Sequence, residues 1–369
     1  MQRYQTLDTF RFLAALLVGV HHTTIHFELF TEAESPLIAA LYSFVDFFFI
    51  ISGFVIAINY AHKIDSVGAY LQFLRRRLAR IYPLHLLTLA IFAIGGTLAV
   101  RYGLNFDRPY YFDPKWLPEN LLLIHAWGTV PHRTFNGPSW SISAEFFVYL
   151  LFPLFAFLAY RLRLVLNLLL LAAFVVILEQ TRQAFGLSPW YDGMQDFGNL
   201  RAVPCFFAGV LLAEAVRKGL IPGLRYGLLL SFAAFAASLV VLEVHGAGVI
   251  ADAMFLLTVA LVVTADRGAP GNFLTRPFFR MLGDASYAFY MLQMGVIAFV
   301  VIVARRTVGI EGGWGFAGAG AVLVITTVLA VLTYRYFENP ARRLLQGRSV
   351  GAKARPAPAG PTLATAPRP

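Results

Sequence analysis

The chain has 369 residues, of which 58% are hydrophobic and only 14% charged, and its mean hydropathy is +0.67. Soluble domains carry about 25% charged residues, so this composition excludes water as the main solvent. The net charge of +10 is read as membrane topology and not as a nucleic-acid partner, because the basic residues lie between apolar runs and near the C-terminus.

The single cysteine, Cys205, cannot form an intramolecular disulfide. It lies next to Pro204 in an apolar span and is read as a packing residue, not an acyl carrier. No metal site is expected. The apolar runs predict an all-α fold, a polytopic transmembrane bundle of about ten helices. The spans fall near residues 9–28, 37–60, 82–100, 140–160, 162–179, 200–216, 224–243, 247–265, 281–304 and 315–337. The opening MQRYQTLDTFR has an acidic residue and no small-residue cleavage site follows the first run, so that run is expected to be retained as a helix.

The first span, LDTFRFLAALLVGVHHTTIHF, carries Arg11 and His22. Eleven residues make about three turns, so the two side chains share a face, about 16 Å apart along the axis. Arg11 can snorkel to the interface and pair with Asp8. His22 can be a packed core histidine or a base. In the second span, VDFFFIISGFVIAINY, Asp46 falls near mid-bilayer and Ser52-Gly53 follows. Asp46 can pair with another buried polar group or support a site, and Gly53 can permit close helix packing.

FLRRRLARIYP follows, with Arg75, Arg76, Arg77 and Arg80 ahead of Pro83, which is expected to open the next helix. Arg77 and Arg80 are spaced i,i+3 and can share a face. Guanidinium forks suit phosphates, but the cluster also fits a positive-inside anchor with lipid headgroup contacts. The stretch Leu117–Trp127 is apolar but too short to span, and is expected at the interface or as a re-entrant segment. NGPSWSISAEFFVYLLFP then places Glu145 roughly 7 Å below the outer surface, near the depth assigned to His22. A carboxylate there can orient an imidazole or simply favour the helix N-terminus.

Charge alternates from loop to loop. Lys63 with the Arg75–Arg80 cluster, Arg161 and Arg163, Arg217 and Lys218, and Arg267 with Arg276 mark one side. This places both termini in the cytoplasm; Arg305 and Arg306 are the main exceptions. Residues 346–369, rich in Pro, Ala and Gly, read as a disordered cytoplasmic tail after a transmembrane domain at 1–345.

Together these groups outline a path. A phosphate-bearing donor docks at the cytoplasmic arginines, its reactive arm threads toward His22, and an acceptor hydroxyl arrives from outside. His22 acts as general base with Glu145 as its orienter.

Six segments also resemble, in order, the acyltransferase-3 family of bacterial inner-membrane O-acyltransferases. LDTFRFLAALLVGVHH resembles the family's LDGLRGLAALLVVLFH, with the match on Arg11 and His22. VDFFFIISGFVI, FLRRRLARIYPLHLL with Arg77, Arg80 and Pro83, and GPSWSISAEFFVYLLFP with Glu145 resemble further family segments. LGDASYAFYMLQ, which contains Tyr287, and YRYFENPARRLL, with Glu338 and Pro340, complete the set. The resemblance implies a multi-pass protein of the bacterial inner membrane with no bound cofactor. It implies acyl-CoA, usually acetyl-CoA, as co-substrate, a carbohydrate acceptor such as a surface polysaccharide or exopolysaccharide, and His22 as the key base. From the constellation, donor binding is assigned to Arg11, Arg77 and Arg80, with Asp46, Ser52, Tyr287 and Gln293 as supporting residues.

The sequence departs from the family pattern at Phe146, where a second Glu is usual, and at Gln293, where a His is common. Besides carbohydrate, the expected contacts are membrane lipids. The competing reading is a transporter or flippase of a glycan intermediate, since buried charges and broken helices suit that class too.

Overall fold

The computed structural model describes residues 3–102, 108–269, 271–309 and 312–347. The expected tail therefore lies outside the described residues, apart from Gln346 and Gly347. Regular structure among the described residues is helical throughout, as expected. The helices are α1 (Gln5–His26), α2 (Pro36–Ala40), α3 (Phe44–Tyr60), α4 (Val67–Arg101), α5 (Leu117–Leu121), α6 (Trp140–Arg161) and α7 (Leu164–Ala184). They continue with α8 (Gly198–Arg217), α9 (Gly227–His245), α10 (Val249–Gly268), α11 (Pro277–Thr307), α12 (Gly312–Thr333) and α13 (Asn339–Leu345).

Nine stretches among the described residues are long and apolar enough to cross a membrane. These are α2 with α3, α4, α6 to α11 singly, and α12 with its continuation to Leu345. The chain is a multi-pass membrane protein. α1 stands apart: its 22 residues reach about 33 Å, but Asp8, Arg11 and three histidines keep it out of the apolar set. It packs against α3, α10, α11 and α12. Its polar side chains thus meet protein, which is where intramembrane polar groups are tolerated.

α4 departs from the expected boundary. Pro83 does not open a helix; it sits inside one continuous helix of 35 residues. Proline removes one hydrogen bond, to the carbonyl of Ala79, and neighbouring helices in a bundle absorb that loss. The arginine cluster is therefore helical, and Arg77 and Arg80 lie on the face that turns into the bundle.

Close approaches fix the crossings. A Cβ on Gly53 would lie 2.0 Å from the Phe206 carbonyl, and one on Gly209 would lie 2.1 Å from the Ile50 carbonyl. Only glycine lets α3 and α8 meet this closely, as Gly53 suggested. Gly283 does the same for α1 and α11, where a Cβ would lie 2.6 Å from the Asp8 carbonyl.

The α3–α8 contact also holds a buried ion pair. Arg201 Nε and Nη2 donate to the two carboxylate oxygens of Asp46 at 2.9 and 2.7 Å. Both residues are 1% exposed. Tyr42 and Trp140 place their rings 5.4 and 5.2 Å from the guanidinium. Asp46 thus takes the pairing role weighed for it.

The Leu117–Trp127 stretch folds back onto α6. Ser143 Oγ donates to the Leu123 carbonyl (2.8 Å) and accepts from the Ala126 amide (3.1 Å), and Trp127 Nε1 donates to the Ser143 carbonyl (3.1 Å). Within it, His125 stacks on His85 with 5.9 Å between centroids. At the far end of α11, Arg305 pairs with Glu28, which accounts for one of the exceptions to the charge pattern.

Two outcomes are expected. Asp46→Ala leaves a buried guanidinium unpaired and should cost about 3–5 kcal/mol, read as lower membrane abundance and melting temperature. The Asp46→Leu, Arg201→Met pair should recover most of the loss. For pH, burial and the neighbouring His85 push His125 down to about 3. The unfolded chain binds that proton near pH 6.5, so stability falls as pH drops below about 6.5 toward 3. Melting temperature should drop more in the wild type than in His125→Asn between about pH 7 and about pH 4.5; equal drops would contradict the assignment.

Candidate active site

α1, α3, α4, α6 and α11 line a partly open cavity with a volume of about 140 Å³. Six of the nine residues singled out from the sequence line it: Arg11, Ser52, Arg77, Arg80, Glu145 and Tyr287. His22, Gln293 and Asp46 do not.

The cations are held differently. Arg11 Nε donates to Ser286 Oγ (2.8 Å), and its Nη2 donates to the Gly283 carbonyl (2.7 Å) and lies 3.4 Å from Asp8. The pairing with Asp8 is thus real, and it leaves Arg11 in the cavity wall. The Arg77 guanidinium lies over the rings of Tyr60 and Phe73, at 4.8 and 5.8 Å. Among the described residues no carboxylate ion-pairs with it. Arg80 ion-pairs with Glu338 and sits 5.6 Å from the Tyr287 ring. Tyr287 in turn donates its hydroxyl to the Ile81 carbonyl of α4 (2.6 Å). The wall therefore presents three guanidinium forks and one carboxylate, Glu145, with Asp8 and Glu338 behind two of the forks.

Glu145 corrects the expected pairing. Its carboxylate accepts from Ser52 Oγ (2.7 Å) and from the Tyr149 hydroxyl, and no bond joins it to His22. Ser141, Glu145 and Tyr149 recur every four residues and form one stripe of α6 facing the cavity. Ser139 and Trp140, at the start of this span, are already buried in protein, and Glu145 shares the cavity lining with the arginines.

His22 has a different neighbour. The Gln293 side chain of α11 lies near its ring, but His22 Nδ1 and Gln293 Oε1 are both buried with no hydrogen-bond partner among the described residues. The His21 ring lies 5.2 Å away and bonds through Nδ1 to the Ile38 carbonyl (2.9 Å). Gln293 Nε2 donates to the Tyr290 carbonyl (3.1 Å). Tyr290 itself lines the cavity. One turn of α11 therefore separates the cavity wall from the side chain against His22.

Sequence reasoning missed Tyr149, Arg201 and the placement of Glu338. Tyr149 was signalled by its i+4 spacing from Glu145. Arg201 stands at the edge of its expected span and reads locally as an interface residue. Glu338 belonged to a recognised segment but received no role.

Comparison with known proteins agrees with this architecture. The acyltransferase-domain family, acyltransferase 3, matches residues 4–335. The chain is 30% identical over 334 residues to "Acyltransferase MdmB" of Streptomyces mycarofaciens, covering 84% of this chain and 83% of that one. It is 32% identical over 163 residues to "Protein 2 in picA locus" of Rhizobium radiobacter, covering 40% of this chain and 79% of that one. No solved structure matches it. The chain, a helical bundle with an arginine-lined cavity near a partly buried histidine, is matched along nearly its whole length; it belongs to the acyltransferase-3 family and is an acyltransferase.

Proposed function

We propose that this protein sits in a bacterial inner membrane with both termini in the cytoplasm. There it moves an acyl group, acetyl in the simplest case, from acyl-CoA to a hydroxyl of a cell-surface or lipid-linked carbohydrate. Residues 1–345 make up the transferase unit. The observation that carries the donor assignment is the convergence of Arg11, Arg77 and Arg80 on one cavity, because clustered guanidinium forks suit the phosphates of a CoA-type donor.

The arm of the donor runs along the α6 stripe. Glu145, held by Ser52 and Tyr149, accepts from the amide N–H groups of that arm and orients it. The thioester then reaches the turn of α11 between Tyr290 and Gln293, next to His22. The acceptor approaches from the opposite face. The neutral His22 ring takes the hydroxyl proton as that oxygen attacks the thioester carbonyl. The C–S bond breaks, and the departing CoA sulfur receives the proton from His22. Gln293 keeps the ring oriented in the role otherwise given to a carboxylate.

The test uses purified protein in lipid with labelled acetyl-CoA and candidate surface glycans. His22→Ala should lower transfer by about 10²–10⁴-fold at unchanged membrane abundance. Transfer at the wild-type rate would remove His22 from the chemistry. Glycan movement across the bilayer without acylation would favour a transporter instead.

A further inference from the structure

One buried carboxylate, paired with an arginine of the cavity wall, has no part in the reaction described so far. Glu338 is fully buried. One oxygen, Oε1, ion-pairs with Nη1 of Arg80. The other, Oε2, has no hydrogen-bond partner among the described residues. Arg11 and Arg342 also act on it electrostatically.

The local backbone is unusual where it matters. α12 ends in a π-helical turn, Tyr334–Glu338, whose last residue is this glutamate. Such single turns re-aim side chains and recur at functional sites. α13 starts immediately after, at Asn339, and is pinned to α4. Nη2 and Nε of Arg75 both donate to the Leu345 carbonyl, at 2.9 and 3.2 Å. The segment is thus fastened at both ends to the helix that bears Arg77 and Arg80.

The geometry of Arg80 follows from this. Glu338 takes one nitrogen of its fork, the Tyr287 ring lies beside the guanidinium, and the residue still lines the cavity. The buried pair of Asp46 and Arg201 offers a contrast, since neither lines the cavity.

We propose that Glu338 is a positioning residue of the donor site: it fixes one edge of the Arg80 guanidinium so that the remaining N–H groups face the cavity and bind a donor phosphate. The inference rests on the acyl-CoA reading above. It makes the C-terminal π-turn and α13 part of the donor site, although Glu338 and α13 lie beyond the last residue of the family match, 335.

The test varies acetyl-CoA at saturating acceptor, with protein in lipid. Glu338→Gln keeps the shape but removes the charge that holds the fork. Its donor KM should rise about tenfold, the worth of one charge-assisted hydrogen bond, with acceptor KM changed by no more than about twofold. KM does not depend on how much protein folds, so lower abundance leaves the result readable. A second variant exchanges the charges, Arg80→Glu with Glu338→Arg. The pair is kept, so the melting temperature lost in Arg80→Glu alone should return while donor KM stays raised.

A wild-type donor KM in Glu338→Gln, or one restored by the exchange, would overturn the proposal and reduce the pair to a structural clamp. Wild-type protein that neither binds nor turns over acetyl-CoA would overturn the acyl-CoA reading and this inference together. Normal wild-type turnover with an unaffected variant overturns this inference alone.

Discussion

An ionised side chain in the middle of a bilayer costs about 2.5–3.5 kcal/mol even on an inserted helix, and every buried charge in this bundle is arranged around that penalty. There are two ways to meet it: an opposite charge, or a cavity that admits polar ligands. Asp46 and Arg201 use the first, through two hydrogen bonds and with aromatic rings beside the guanidinium, although Arg201 Nη1 has no hydrogen-bond partner among the described residues. Arg77 uses the second, resting on Tyr60 and Phe73 at the cavity wall. Arg80 uses both, paired with Glu338 and still lining the cavity. The same penalty thus separates a charge that holds helices together from charges held ready for a ligand.

α1 joins the two halves of the site. It is too polar to face lipid, so it lies among α3, α10, α11 and α12. That position puts Arg11 in the cavity wall near one end and His22 against Gln293 toward the other. The approach of α11 at Gly283 fixes the register between the helices. On the proposed reaction, donor and acceptor need not share an aqueous compartment. The cavity takes the donor, and α1 carries the base to where the acceptor arrives.

Same-helix relations were legible in the sequence because a 3.6-residue period is a local property. Arg11 with His22, Arg77 with Arg80, and Gly53 as a close-packing point could all be read from spacing. Relations across helices were not. A count of residues along α6 gives Glu145 a depth but not the neighbours that surround it, and its partners, Ser52 on α3 and Tyr149, replace the expected histidine. Pro83 looked like a helix start because its local signal is the same at a first turn and inside a supported helix. Arg201 and Glu338 find their partners 155 and 258 residues away, and no periodicity reports such distances. The six family-like segments supplied the family and the general place of the site, while the packing of α6 and the π-turn decided which groups meet.

The central claim is that the arginine-lined cavity receives the phosphates of an acyl-CoA while its thioester reaches His22. An experimental structure of the protein in lipid with a non-hydrolysable acetyl-CoA analogue tests it most directly. The expected result has phosphate oxygens within hydrogen-bond distance of Arg77 and Arg80, with the acyl end beside Gln293 and His22. An analogue bound elsewhere, with the arginines engaged by lipid headgroups and the cavity holding no part of it, would contradict the account.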